Sequence, residues 1–217
     1  WYYTVAQEGH FTLTLTKRGI SETDWQLLLL TLRILIRHAT LGTKDQFGLG
    51  VVTTEQLPHV MPWRGNLVPP LTDKPGLHQA FFAEVRFPNP APVLLRDRLE
   101  AGLHWRAHLR DHFRQPDDAK LRHYLFGHLS DKIGTAINVS AIYPVTHQES
   151  ALRVWGLLPH TVKSKKLLPV FTQVVAQREQ LLTRLKAGLQ TGPKIPCRAQ
   201  KIAWQMCPST EISSWIN

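Results

Sequence analysis

Three imidazoles, His104, His108 and His112, recur at intervals of four residues. A straight helix stacks such a series along one face, and that spacing can hold a metal between two rings. Leu95, Leu99, Leu109 and Phe113 define the apolar stripe of the same helix, which puts the histidines on the opposite side. No Cys or carboxylate at ligand spacing accompanies them, so solvated or RNA-facing rings are expected, with no metal and no cofactor. Cys197 and Cys207 match no zinc ribbon or C-x-x-C pattern and read as ordinary thiols of a reducing compartment. No G-x-S-x-G and no G-x-x-x-x-G-K-[ST] is present, and the carboxylates are sparse and unpaired. No residue is assigned a catalytic role. His10 and His38 remain the candidates for a general base in RNA self-cleavage, because a neutral imidazole can take a 2′-hydroxyl proton.

The most informative run is Gly42-Thr43-Lys44-Asp45-Gln46-Phe47-Gly48-Leu49-Gly50. Glycines around a lysine let the backbone approach a phosphate closely, with amides and the ammonium as donors. The competing reading is a turn that needs glycine only for its positive φ. Charge bears on that choice without deciding it, because a solvated face is the other reading of a basic block. The 217 residues carry 26 basic and 16 acidic side chains, a net charge of +10. Residues 160–201 alone contribute +8, with nine bases, including Lys163, Lys165 and Lys166, against Glu179. So concentrated a block on an otherwise balanced chain suggests a polyanion, since each neutralised phosphate releases counterions.

The elements that must position these groups are read from periodicity. His10–Lys17 alternates Phe11, Leu13 and Leu15 with threonines, the pattern of a half-buried strand. Ser21 with Asp24 opens a helix to about His38, with Trp25, Leu28, Leu29, Leu32 and Ile36 as its apolar stripe. Arg33 and Arg37 lie four apart near its end, where the helix dipole favours cations. The glycine-rich run then leads into a strand, and a proline-rich irregular stretch follows. A strand over 80–87, helices over 94–113 and 120–129, paired strands over 136–143 and 151–157, and a helix over 170–189 complete the pattern. Beyond Gly192 the tail reads as irregular. Strands and helices alternating with hairpin-like pairs predict an α+β fold. No run approaches the roughly 18 uninterrupted apolar residues of a membrane span. No basic-then-apolar leader precedes Trp1 and no initiator Met opens the chain, so a processed chain or a piece of a longer one is expected.

Strand, helix and then L-G-x-K-x-x-x-G-x-G resembles the glycine-rich loop of the RAMP superfamily of CRISPR proteins. Arg153-Val154-Trp155-Gly156-Leu157-Leu158-Pro159 is similar to the R-[IV]-W-G-x-[IL]-P segment of one family within it. That family is the tandem-RAMP, first-numbered subunit of type III-B (Cmr) effector complexes, and the match covers the C-terminal half of such a subunit, roughly residues 8–160 here. The resemblance implies a ferredoxin-like (RRM-type) domain over 1–160 with a basic helical extension and irregular tail over 161–217. It implies a non-catalytic, cytoplasmic RNA-binding subunit in antiviral defence. Its partners would be CRISPR guide RNA, target RNA and other RAMP subunits of the effector complex, with no membrane. Gly42, Lys44, Gly48 and Gly50 would then meet RNA backbone, and Arg33, Arg37, Lys163, Lys165 and Lys166 would add phosphate contacts. Trp155 is expected in the core rather than on a base. The alternatives are a metal-independent precursor-RNA endoribonuclease of the same superfamily and a protein-only scaffold.

Overall fold

A computed structural model describes residues 9–40, 50–54, 79–115, 118–127, 134–159 and 168–193, and the backbone of 201–206. In chain order the elements are α1 (Glu22–His38), β1 (Ala80–Phe87), α2 (Leu95–Asp111), α3 (Ala119–Phe126), β2 (Ile137–Val139), β3 (Tyr143–Pro144), β4 (Ser150–Leu157), α4 (Leu168–Ala176), α5 (Arg178–Thr191) and β5 (Lys201–Met206). Helices and a small antiparallel sheet thus occur together, which is compatible with the α+β class.

Local chemistry explains the first helix. The Ser21 hydroxyl accepts from the Asp24 amide at 3.1 Å, Glu22 and Asp24 occupy the first turn, and Arg37 and His38 close the last. Cap and charges therefore agree with the helix dipole. Its buried side is not the expected stripe. Leu30 is the buried residue, and Ile34 and Leu35 pack on the sheet, while Leu28 stays exposed. Leucine or isoleucine occupies nearly every position from 27 to 36, so periodicity could not select a face.

The sheet is ordered β2-β4-β1-β5, with β3 also paired to β4, and every pairing is antiparallel. Central β1 matches Phe82 with Trp155 of β4 on one edge and with Gln205 of β5 on the other. Successive side chains of β1 alternate between faces. Phe81, Ala83, Val85 and Phe87 join Trp105 and Leu109 of α2, Leu125 of α3, Val174 of α4 and Leu185 of α5 in one core. Ala80 and Phe82 point the other way, onto Ala39, Ile34 and Leu35 at the end of α1. The four later helices therefore cover one face, and α1 lies on the opposite one. Residues on both sides of position 160 share the main core, so the helices after 160 are layers of the same unit.

The expected pair of strands over 136–143 and 151–157 forms with an interruption. Val139 pairs with Val154 but Tyr143 with Ala151, so one extra residue is accommodated between them. This bulge carries Ser140, whose amide donates to Arg153 O and whose hydroxyl accepts from the Arg153 amide, both at 2.8 Å. Helix α2 crosses here at Gly102, where a Cβ would fall 2.4 Å from Ser140 O.

Four expectations are corrected. Residues 10–17 form no strand: Phe11 and Leu13 are 69% and 58% exposed. Period two sets how side chains alternate, not whether a segment joins a ladder, and among the described residues this one pairs with no strand. Residues 50–54 are likewise irregular rather than a strand. The helix expected over 170–189 is two, broken at Gln177, and part of the tail beyond Gly192 is the strand β5. No helix among the described residues is long and apolar enough to cross a membrane.

Candidate nucleic-acid interface

Of the expected RNA-contacting residues, Gly42, Lys44, Gly48, Lys163, Lys165 and Lys166 lie outside the described residues. Arg33, Arg37 and Gly50 lie within them. Arg37 is exposed on the last turn of α1, and Arg33 is half-buried one turn earlier. Gly50 has φ of 89°, a left-handed conformation that a Cβ disfavours, so this glycine is needed for its backbone whatever the loop binds.

The two flanks of the glycine-rich run are held by one side chain. Arg153 of β4 is 6% exposed. Its Nη1 donates to Ile36 O at 2.7 Å and Ala39 O at 3.1 Å, and lies 3.4 Å from Val52 O. The first two carbonyls belong to the end of α1, which no further helical turn can satisfy. Two residues along the strand, on the same face, Trp155 Nε1 donates to Thr40 Oγ1 at 3.2 Å. Arg153 and Trp155 thereby fix residues 36–40 before the run and Val52 after it. The R-x-W pair is thus a clamp on the residues that flank the glycine-rich run. Trp155 is half-buried and packs on the Phe82 cluster, as core material.

The guanidinium is itself held in place. Its Nε donates to the Tyr143 hydroxyl at 3.1 Å, that hydroxyl donates to Glu84 Oε2 at 2.8 Å, and the Tyr143 ring lies 4.8 Å from the Arg153 carbon. Burial, the largest cause, raises the Tyr143 pKa above its usual value, so the phenol stays protonated and able to donate. Glu84 also accepts from Arg86 at 2.7 Å. A chain from β1 through β3 and β4 to α1 leaves the buried cation paired at each step.

His38 packs on Phe82, with ring centroids 5.1 Å apart. Burial, then the charges of Arg37 and Arg153, depress its pKa to about 4, against a smaller opposing effect of Glu84. So weak a base is poorly matched to proton abstraction at neutral pH. Its titration has a sign that can be checked. The folded pKa lies below the unfolded value near 6.5, so the unfolded chain takes up the proton first as pH falls. Stability should be fully present above about pH 6.5 and decline by up to about 3 kcal/mol towards pH 4. Urea midpoints of wild type and His38→Phe measured from pH 7 to pH 4.5, roughly spanning that window, should diverge as the variant loses the His38 share of the slope. Parallel curves would show that His38 is not the responsible group.

The histidine series departs from expectation. His104 alone is exposed, 3.7 Å from Glu100. His108 and His112 are half-buried against α5, with His108 Nε2 3.0 Å from Gly188 O and His112 Nε2 3.2 Å from Thr191 Oγ1. Gly188 makes the room, since a Cβ there would stand 3.1 Å from the His112 ring. Burial holds the His108 pKa down, so the ring packs uncharged. Among the described residues no group of three or more His, Cys, Asp or Glu converges as metal ligands would.

The basic block also divides by role. Arg178 donates to Leu158 O at 2.7 Å, and Arg184 donates to His112 O at 3.0 Å while stacking on the Phe113 ring at 4.3 Å. Both are structural ties. A different cationic cluster, which sequence reasoning missed, forms between α2 and α3 from Arg110, Arg114 and Arg122. Its segment, 94–132, nets only +2, because acidic residues elsewhere in the segment offset it. The i, i+4 spacing of Arg110 and Arg114 was the signal available. No family model, no curated protein and no solved structure matches the chain.

Proposed function

We propose that the chain is a non-catalytic RNA-binding subunit of a type III CRISPR ribonucleoprotein. In this reading the glycine-rich run meets the backbone of guide or target RNA and neighbouring RAMP subunits flank the chain in the cytoplasm. The observation that carries the reading is the Arg153–Trp155 clamp on residues 36–40 and Val52. It gives the two motifs of the resemblance one mechanical purpose, a loop presented with both ends fixed. The connectivity supports it too. Strand, helices, a bulged strand pair, helices and strand, in sheet order β2-β4-β1-β5, agree with the β-α-β-β-α-β plan of a ferredoxin-like domain. On this plan the unit begins at β1 and closes with β5, later in the chain than the span of 1–160.

The test is co-purification of RNA and sister subunits with tagged variants, beside a melting curve for each. Gly48→Val should abolish guide-RNA assembly without changing charge, because a β-branched side chain blocks close approach of backbone to phosphate. Lys44→Ala should retain assembly but lower the log–log salt slope of RNA binding by about one. The triple change of Lys163, Lys165 and Lys166 to Ala should weaken binding to all RNA sequences alike. Wild-type protein that purifies free of RNA and shows no salt-dependent RNA affinity would end this reading.

A further inference from the structure

Helices α2 and α3 enclose a shallow cleft of about 310 Å³ lined by Ala107, Arg110, Asp111, Arg114 and Arg122. Its walls are braced from behind by Arg106, whose Nη2 donates to Phe126 O at 2.7 Å and ties the end of α3 to α2. Arg110 and Arg114 are spaced to fall on one side of α2 and the turn that follows it, and Arg122 faces them from α3. Arg114 meets Asp111 at 3.2 Å, but both side chains are exposed and solvent weakens the pair. Arg110 and Arg122 meet no carboxylate among the described residues, and Arg122 Nε is removed from solvent with no acceptor.

Such an arrangement is unfavourable by itself. Three guanidiniums around one concavity repel one another, and a buried N–H without an acceptor costs about 1–3 kcal/mol. A tetrahedral oxyanion removes both penalties, since its oxygens can accept from two guanidinium forks at once. We propose that this cleft binds a backbone phosphate of single-stranded RNA, a step that rests on the RNA-binding reading above. No aromatic side chain lines it for base stacking, so the contact is to the backbone and independent of sequence. The cleft lies on the helix-covered side of the sheet, whereas Arg37, Gly50 and the clamp lie with α1 on the other. The phosphate it takes therefore belongs to a different stretch of nucleic acid from the one at the glycine-rich run.

The experiment measures fluorescence anisotropy of a labelled single-stranded RNA of about 16 nucleotides with the full chain over a range of salt. Arg110→Gln with Arg122→Gln should weaken binding about tenfold and lower the log–log salt slope by about one, with the melting temperature unchanged. As a second measurement that needs no variant, RNA should protect Arg110 and Arg122 of wild type from phenylglyoxal. Wild type that binds RNA while the double variant binds equally and neither arginine is protected overturns the cleft alone. The unpaired arginines would then await an acidic segment of a partner protein. Wild type that does not bind RNA at all overturns the cleft together with the reading on which it rests.

Discussion

Gly156→Ala should cost at least about 3 kcal/mol, a large share of the net stability of a domain. A Cβ at Gly156 would stand 2.0 Å from Ala136 O and 2.8 Å from the Phe81 ring. Neither neighbour can retreat. Ala136 O accepts from the Leu157 amide at 3.2 Å, so moving it breaks the β4 edge, and Phe81 is fully buried in the main core. The glycine of R-V-W-G is therefore a packing requirement of the central sheet. Far-UV circular dichroism in a urea series would report the loss as a lower midpoint. A midpoint within about 0.5 kcal/mol of wild type would show that β2 and β4 do not approach as described.

The second large effect is at Arg153. Truncation to Met should destabilise the fold by about 3 kcal/mol or more, because it orphans two helix-terminal carbonyls and leaves Glu84 without the cation beyond Tyr143. Arg153→Lys should recover little. A lysine is a point donor and cannot span Tyr143, Ile36 O and Ala39 O as the planar fork does. Hydrogen exchange separates this from general loosening. In the Lys variant, amides near the end of α1, such as Ala39, should exchange faster while those of β1 keep their protection. Uniform loss of protection would reduce Arg153 to an ordinary core residue.

The sequence revealed what is local. The Ser21 cap, the β1 strand and the hairpin at the turn before Glu149 each announce themselves within a few residues. The 10–17 stretch misled because period two describes a strand's side chains and says nothing of whether a neighbour's edge is vacant. Ile202, Trp204 and Met206 alternate in K-I-A-W-Q-M, yet a proline-rich approach concealed a strand whose partner lies far upstream. The clamp was illegible for a related reason. Arg153 stands in the sequence only as the first residue of R-V-W-G, and only the fold brings it under Ile36 and Ala39, more than 110 residues earlier in the chain. The arginine cleft was hidden by averaging, since segment charge cannot show which arginines lack a carboxylate.

The placement of β1 bears on how the chain comes off the ribosome. Its two partners arrive late: Phe82 must wait for Trp155 on one edge and Gln205 on the other. At roughly 5–20 residues per second the second wait is on the order of ten seconds. Until Trp155 emerges, an eight-residue strand with six hydrophobic side chains, Ala80, Phe81, Phe82, Ala83, Val85 and Phe87, has both hydrogen-bonding edges open, and the edge toward β5 stays open for the rest of the wait. Pairing so distant in sequence also makes spontaneous refolding slow. Recombinant yield should therefore rise when holdase chaperones are co-expressed, and nascent chains stalled before residue 150 should be the aggregating species.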